Sequence, residues 1–185
     1  GRIIEDAQRA ATIIGRVRDA AMQRAPNATR LSVNDAITEA MIFLRHEMQS
    51  NKVSLRLFMG DHLPEIRADR TQVQQVIVNL AINAIQAMRQ IDEDRRSLSV
   101  RTRRLGDFVV VHVEDSGPGI AEEHMERLFQ SFFTTKENGM GIGLPICRSI
   151  IESHGGSISA SNRPEGGSIF EVRLPIPDKH NHTDV

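Results

Sequence analysis

The sequence predicts an α+β domain, and three observations carry that reading. Residues 98–104 and 108–114 read as two strands joined at Leu105-Gly106-Asp107, the pattern of a hairpin. Residues 156–161 and 168–174 form a second such pair. The helical segments do not alternate regularly with single strands, so a doubly wound parallel sheet is excluded.

The elements follow in order. Between Arg2 and Gln23 there is no Pro, and Ile3, Ala7, Ala10, Ile14, Val17 and Ala21 recur at spacings of four and three. That is a heptad seam on a long helix, packed either on its own domain or in a bundle or dimer stem. Pro26-Asn27-Ala28 breaks it, and residues 26–31 read as a linker. Ser32 is placed to cap a helix running through Met48. Residues 53–58 and 65–68 read as strands. Asp69 caps a helix to about Met88 that turns Val73, Val76, Ile77, Leu80 and Ala84 inward. Residues 122–129 form a short helix, and residues 131–140 are polar with no periodicity. Pro145 suits the first turn of a helix that ends near Ser153. Residues 176–185 read as a flexible tail.

The bulk numbers exclude several function classes. The chain has 185 residues, 39% of them hydrophobic, enough for one domain and an appended element. Its 23 basic and 24 acidic residues nearly cancel, and there is no Tyr or Trp. Neither a basic nucleic-acid face nor an aromatic stacking platform is expected. Cys147 is the single cysteine, so no internal disulfide forms and a cytoplasmic setting is expected. No apolar run is long enough to cross a membrane, so direct membrane contact is not expected.

Three glycine-bearing turns stand out: Asp115-Ser116-Gly117-Pro118-Gly119, Gly139-Met140-Gly141-Ile142-Gly143 and Gly166-Gly167-Ser168. None matches the phosphate loop or the dinucleotide fingerprint. Asp115 ends a hydrophobic strand. It is either an ordinary turn residue or a carboxylate awaiting a donor such as a purine amine. Asn79 and Asn83 lie four apart on one helix face. Their amides serve either helix–loop hydrogen bonds or a magnesium ion that carries phosphates. Gly139 to Gly143 lead into the Pro145 helix, whose first N–H groups suit an anion. Lys136, Thr134 and Thr135 lie just before it.

Together these motifs resemble those of sensor histidine kinases. Asn79-Leu80-Ala81-Ile82-Asn83-Ala84 resembles the N box, and Asp115 to Gly119 the G1 box. Phe129-Gln130-Ser131-Phe132-Phe133 with Thr134-Thr135-Lys136 resembles the F box, Gly139 to Leu144 the G2 box, and Gly167-Ser168-Ile169-Phe170 the G3 box. The Phe-Phe-Thr-Thr-Lys form is similar to the nitrogen, dicarboxylate and oxygen sensors. The resemblance covers residues 32–175. It implies a Bergerat-type two-layer α/β sandwich of the GHKL superfamily, with a mixed sheet covered on one face by helices. It implies ATP or ADP and Mg2+ as ligands. Asp115 would meet the adenine amine, with Ser168 nearby through water, and Asn83 with Asn79 would hold the metal. Gly117, Gly119, Ile120, Thr134, Thr135, Lys136, Gly139, Gly141, Ile142, Gly143 and Leu144 would line the nucleotide, with residues 131–140 as its lid. Many relatives carry a basic residue where Gln86 stands.

Such kinases phosphorylate a histidine on a dimerisation hairpin. His46-Glu47 resembles that acceptor pair only superficially, because it follows the linker. The other histidines, His62, His112, His124, His154, His180 and His182, show no metal-ligand spacing. The resemblance implies that residues 1–25 are the second helix of the hairpin. The acceptor is then expected to be absent from this chain, which should not autophosphorylate alone. The implied partners are the hairpin of the same homodimeric kinase and the receiver domain of a response regulator. The alternatives are a nucleotide-binding regulatory module or an ATPase. Related ATPases use a Glu base where Asn79 stands.

Overall fold

The structure, a computed structural model, describes residues 26–135 and 141–178. The expected stem helix at 1–25 and the tail beyond Asp178 lie outside those residues.

Strand β1 (Thr29–Leu31) pairs antiparallel with β3 (Ile66–Ala68). Residues 29–31, expected as linker, are thus part of the folded domain, and Leu31 and Ile66 are both buried. Three residues are too few to show strand periodicity, and burial against a partner 35 residues away decides the conformation. Ser32 caps α1 (Val33–Phe43) by accepting the Asp35 N–H at 3.3 Å. The helix expected to run through Met48 breaks at Leu44 (φ −90°, ψ 0°) and resumes as α2 (Arg45–Ser50). The break turns Leu44 and Met48 into the core and leaves Phe43 outside.

The main sheet runs in the order β2 (Ser54–Phe58), β4 (Ser97–Leu105), β5 (Phe108–Asp115), β7 (Ser168–Pro175), β6 (Ser157–Asn162). β2 lies parallel to β4, and the other pairs are antiparallel, including both expected hairpins. One sheet face packs on α1, on α3 (Arg70–Met88) and on α5 (Gly143–Ser153). A one-turn α4 (Glu122–Met125) and a 3-10 turn (Glu93–Arg95) complete the order. This is the two-layer α+β sandwich that the resemblance implied.

Asp69 caps α3 by accepting the Gln72 N–H at 3.1 Å. Along α3, Val73, Val76, Ile77, Leu80 and Ala84 are buried as expected. Period-two alternation sends Val109, Val111 and Val113 of β5, and Phe170, Val172 and Leu174 of β7, toward the helices. Each of these buried rows ends in a polar residue, Asp115 on β5 and Ser168 on β7.

Candidate functional site

Asp115 is 3% exposed, and its strand aims the carboxylate to the helix side of the sheet. Its Oδ1 accepts the Gly117 N–H at 2.8 Å and the Ser168 N–H at 3.4 Å. Its Oδ2 accepts the Ser168 hydroxyl at 2.5 Å. Ser168 thus touches Asp115 directly. A carboxylate has about four acceptor positions. Three are filled, and one on Oδ2 remains for a further donor. The donors already in place compensate the burial of the charge.

The glycines here answer to space. A Cβ on Gly117 would stand 2.8 Å from Asp115 Oδ1 and against Ala87. A Cβ on Gly167 (φ +91°) would stand 1.9 Å from the Asp115 carbonyl oxygen. Two residues that the sequence did not single out hold this loop. Asn162 accepts the Ile120 N–H at 2.8 Å and donates to the Ile120 carbonyl at 2.7 Å, as a neighbouring strand would. The Arg163 guanidinium donates to the Asp115 carbonyl at 3.1 Å. Both lie more than 40 residues from their partners, so no local pattern could mark them.

Asn79, Asn83 and Ala87 recur at i, i+4 and i+8 on one face of α3, spanning about 12 Å at 1.5 Å per residue. Gly117 packs at the Ala87 end. At the other end Cys147 of α5 lies against Val76 O (Sγ at 4.0 Å) and hydrogen-bonds Asn79. Burial pushes the Cys147 thiol up to about 12, against the opposing Asn79 hydrogen bond, so it stays protonated and plays no nucleophilic part.

α5 starts at Gly143 after Ile142, which makes no side-chain cap hydrogen bond, and the first N–H groups of a helix are donors suited to an anion. A Cβ on Gly143 would meet open space. Gly141 (φ +64°) is pressed against Phe132 and Phe133, and its carbonyl accepts the Phe132 N–H at 2.8 Å. Ile120, Ile142 and Leu144 are half-buried, whereas Thr134 and Thr135 are exposed. Lys136 and Gly139 lie outside the described residues. The structure therefore brings Asp115, Gly117, Gly119, Ile120 and Ser168 together at one end of the α3 face. Asn79 and the start of α5 meet at the other.

No cluster of three or more His, Cys, Asp or Glu suited to a metal ion occurs among the described residues. Two amide oxygens on one face are a sparse set. It fits Mg2+, which keeps its waters and takes phosphate oxygens as further ligands. No helix among the described residues is long and apolar enough to cross a membrane.

Residues 68–178 match the family described as histidine kinase-, DNA gyrase B- and HSP90-like ATPase. The chain is 40% identical over 177 residues to the sensor histidine kinase TmoS of Ectopseudomonas mendocina, covering 95% of the chain and 18% of that protein. It is 40% identical over 180 residues to the sensor protein FixL of Bradyrhizobium diazoefficiens, covering 97% and 35%. The chain thus spans only a fifth to a third of these relatives. The catalytic domain of histidine kinase ThkA in a nucleotide-free form superposes with a TM-score of 0.72 at 34% identity, covering 80% of this chain and 95% of that one. ThkA solved with the response regulator TrrA gives 0.78 at 30% identity, covering 95% and 49%. The chain belongs to the histidine kinase-, DNA gyrase B- and HSP90-like ATPase family, in its sensor-kinase form.

Proposed function

We propose that this chain binds Mg·ATP and supplies the catalytic half of a histidine phosphotransfer. The acceptor is a histidine on a dimerisation hairpin, and the phosphate then passes to an aspartate of a response regulator. The observation that carries the reading is the open acceptor position on buried Asp115, at one end of a helix face that bears two asparagines.

Asp115 Oδ2 accepts the exocyclic amine of adenine, and aliphatic neighbours such as Ile120 flank the base. Gly117 and Gly119 let the loop backbone lie close to it. Asn83 and Asn79 offer amide oxygens to Mg2+, which when bound offsets phosphate charge. The first N–H groups of α5, from Gly141 to Leu144, receive phosphate oxygens. Thr134, Thr135, Lys136 and Gly139 add donors and charge from the lid. Phosphoryl transfer needs mainly alignment and charge neutralisation, which this set provides. Asn79 cannot take a proton from water, so ATP hydrolysis by the chain is slow.

The test supplies the hairpin in trans. The chain is incubated with γ-labelled ATP, Mg2+ and a separately produced hairpin, and acid-labile, base-stable label is followed. Label on the hairpin, with none on the chain alone, is the expected result. ATP binding without transfer would instead indicate a regulatory nucleotide-binding module.

A further inference from the structure

Asp69 stands where three parts of the fold meet. Its Oδ1 caps α3 through the Gln72 N–H. Its Oδ2 accepts the Asn27 N–H at 3.0 Å, from the segment that leads into β1. Its own N–H donates to Nε2 of His154 at 3.0 Å, at the C-terminal end of α5.

The partners of His154 define its state. A backbone N–H only donates, so Nε2 holds a lone pair. The Ile150 carbonyl, 2.7 Å from Nδ1, only accepts, so Nδ1 carries the proton. The ring is the neutral Nδ1–H tautomer. It is also fixed in place. Gly155 reverses the chain at φ +73°, and a Cβ on Gly156 would stand 2.2 Å from the Arg173 carbonyl oxygen. The end of α5 therefore lies close against β7.

Both helices joined at this point run to the nucleotide site. Seven residues along α3 from Asp69, the Val76 carbonyl faces Cys147, which lies seven residues back from His154. The equal intervals describe two antiparallel rods pinned at two levels. Carried onward, the same register sets Asn79 level with Leu144 in the first turn of α5, with Asn83 one turn further along α3. A helix is stiff over the roughly 15 Å involved, so a shift at the Asp69–His154 contact moves one phosphate-binding element past the other.

We propose that Asn27, Asp69 and His154 form a coupling junction. Asp69 and His154 are positioning residues, through which the segment entering β1 sets the spacing of the asparagine helix and the α5 start. The inference rests on the nucleotide reading above. Coupling of this kind is reciprocal, so nucleotide in turn tightens the incoming segment.

The test measures amide hydrogen exchange by NMR at Asn27 and across 29–31 in the whole chain, with and without Mg·ADP. Three variants are compared with the unaltered chain. Asp69→Ser keeps a hydroxyl to cap α3 but removes the second acceptor. His154→Phe keeps a ring without an acceptor, and His154→Gln returns an amide oxygen near the place of Nε2. In the unaltered chain and His154→Gln, Mg·ADP should slow Asn27 exchange about fivefold, the worth of one hydrogen bond. In Asp69→Ser and His154→Phe that response should vanish, and Mg·ADP affinity should fall by a similar factor while the β4 and β5 amides stay protected. If His154→Phe does not fold, Asp69→Ser against His154→Gln decides. Mg·ADP that binds but leaves Asn27 exchange unchanged, or slows it equally in all the proteins, overturns the coupling alone. No binding to the unaltered chain overturns the nucleotide reading and the coupling with it.

Discussion

The two ends of the α3 face are built on different principles. At the Asp115 end, a buried carboxylate, a buried serine and two crowded glycines are locked by short hydrogen bonds. At the other end, Asn79 and Asn83 are half-buried, Asn79 hydrogen-bonds Cys147 of α5, and the threonines of the lid are exposed. On the nucleotide binding proposed above, the first end is finished before any ligand arrives and the second is completed by what the ligand brings. Base selectivity would then reside in rigid structure, and charge handling in groups that a metal and phosphates organise. A rigid base site would lower the ordering cost of binding, while an open phosphate end would let the γ-phosphate leave.

Substitutions can break this contrast, and the largest effect is expected at Gly167. Gly167→Ala forces a methyl into the Asp115 carbonyl at a left-handed φ, and should cost about 3 kcal/mol of folding stability. Chemical denaturation measures it; a cost below about 1 kcal/mol would show that the loop is not rigid. Next is Asp115→Asn, which turns an amide N–H₂ toward the adenine amine or toward its own donors. Nucleotide affinity should fall on the order of 100-fold, equally with and without Mg2+, as calorimetry would record. A loss seen only with Mg2+ would reverse the assignment of the two ends.

Asn83→Ala should weaken Mg·ATP binding about tenfold and leave metal-free binding nearly unchanged, since one neutral amide ligand is lost. Titrations with and without a chelator distinguish the two terms. The smallest effect lies on the other face of the same strands. Burial pushes Glu171 up, but hydrogen bonds from His112 (2.7 Å) and Arg173 (2.6 Å) outweigh it and hold its carboxyl below the usual range. A carboxyl lowered in the folded state stabilises above its unfolded pKa, and that contribution is lost as pH falls through the folded value. Glu171→Gln should therefore flatten the acid side of the stability profile and leave nucleotide affinity untouched. An affinity change would mean that the open sheet face communicates with the site.

Much of this was legible residue by residue. Asp69 and Ser32 announced their helices because capping is local chemistry. Both hairpins were readable because a short turn between two strand-like runs is local too. Asp115, Asn79 and Asn83 were marked by a polar side chain at the end or on the face of an apolar run. The break at Leu44 and the strand at Thr29–Leu31 were not readable, because burial against distant residues overrode a continuous helical pattern and a loop-like composition. Asn162, Arg163 and His154 carried no local signal, since each is defined by a backbone group 42 to 85 residues away.

The sequence by itself determined the α+β class, the capped helix starts at Ser32 and Asp69, the glycine turns and the side chains proposed to meet a nucleotide. These depend on backbone propensity, period and residue chemistry, which act over a few positions. Only the tertiary structure decided that Ser168 contacts Asp115 directly, that Gly167 has no room for a side chain, and that Asp69 and His154 tie the start of α3 to the end of α5. Those outcomes depend on sheet register and helix packing. Register and packing are set by the whole core at once, because burying every apolar row simultaneously leaves each polar end a single place to go.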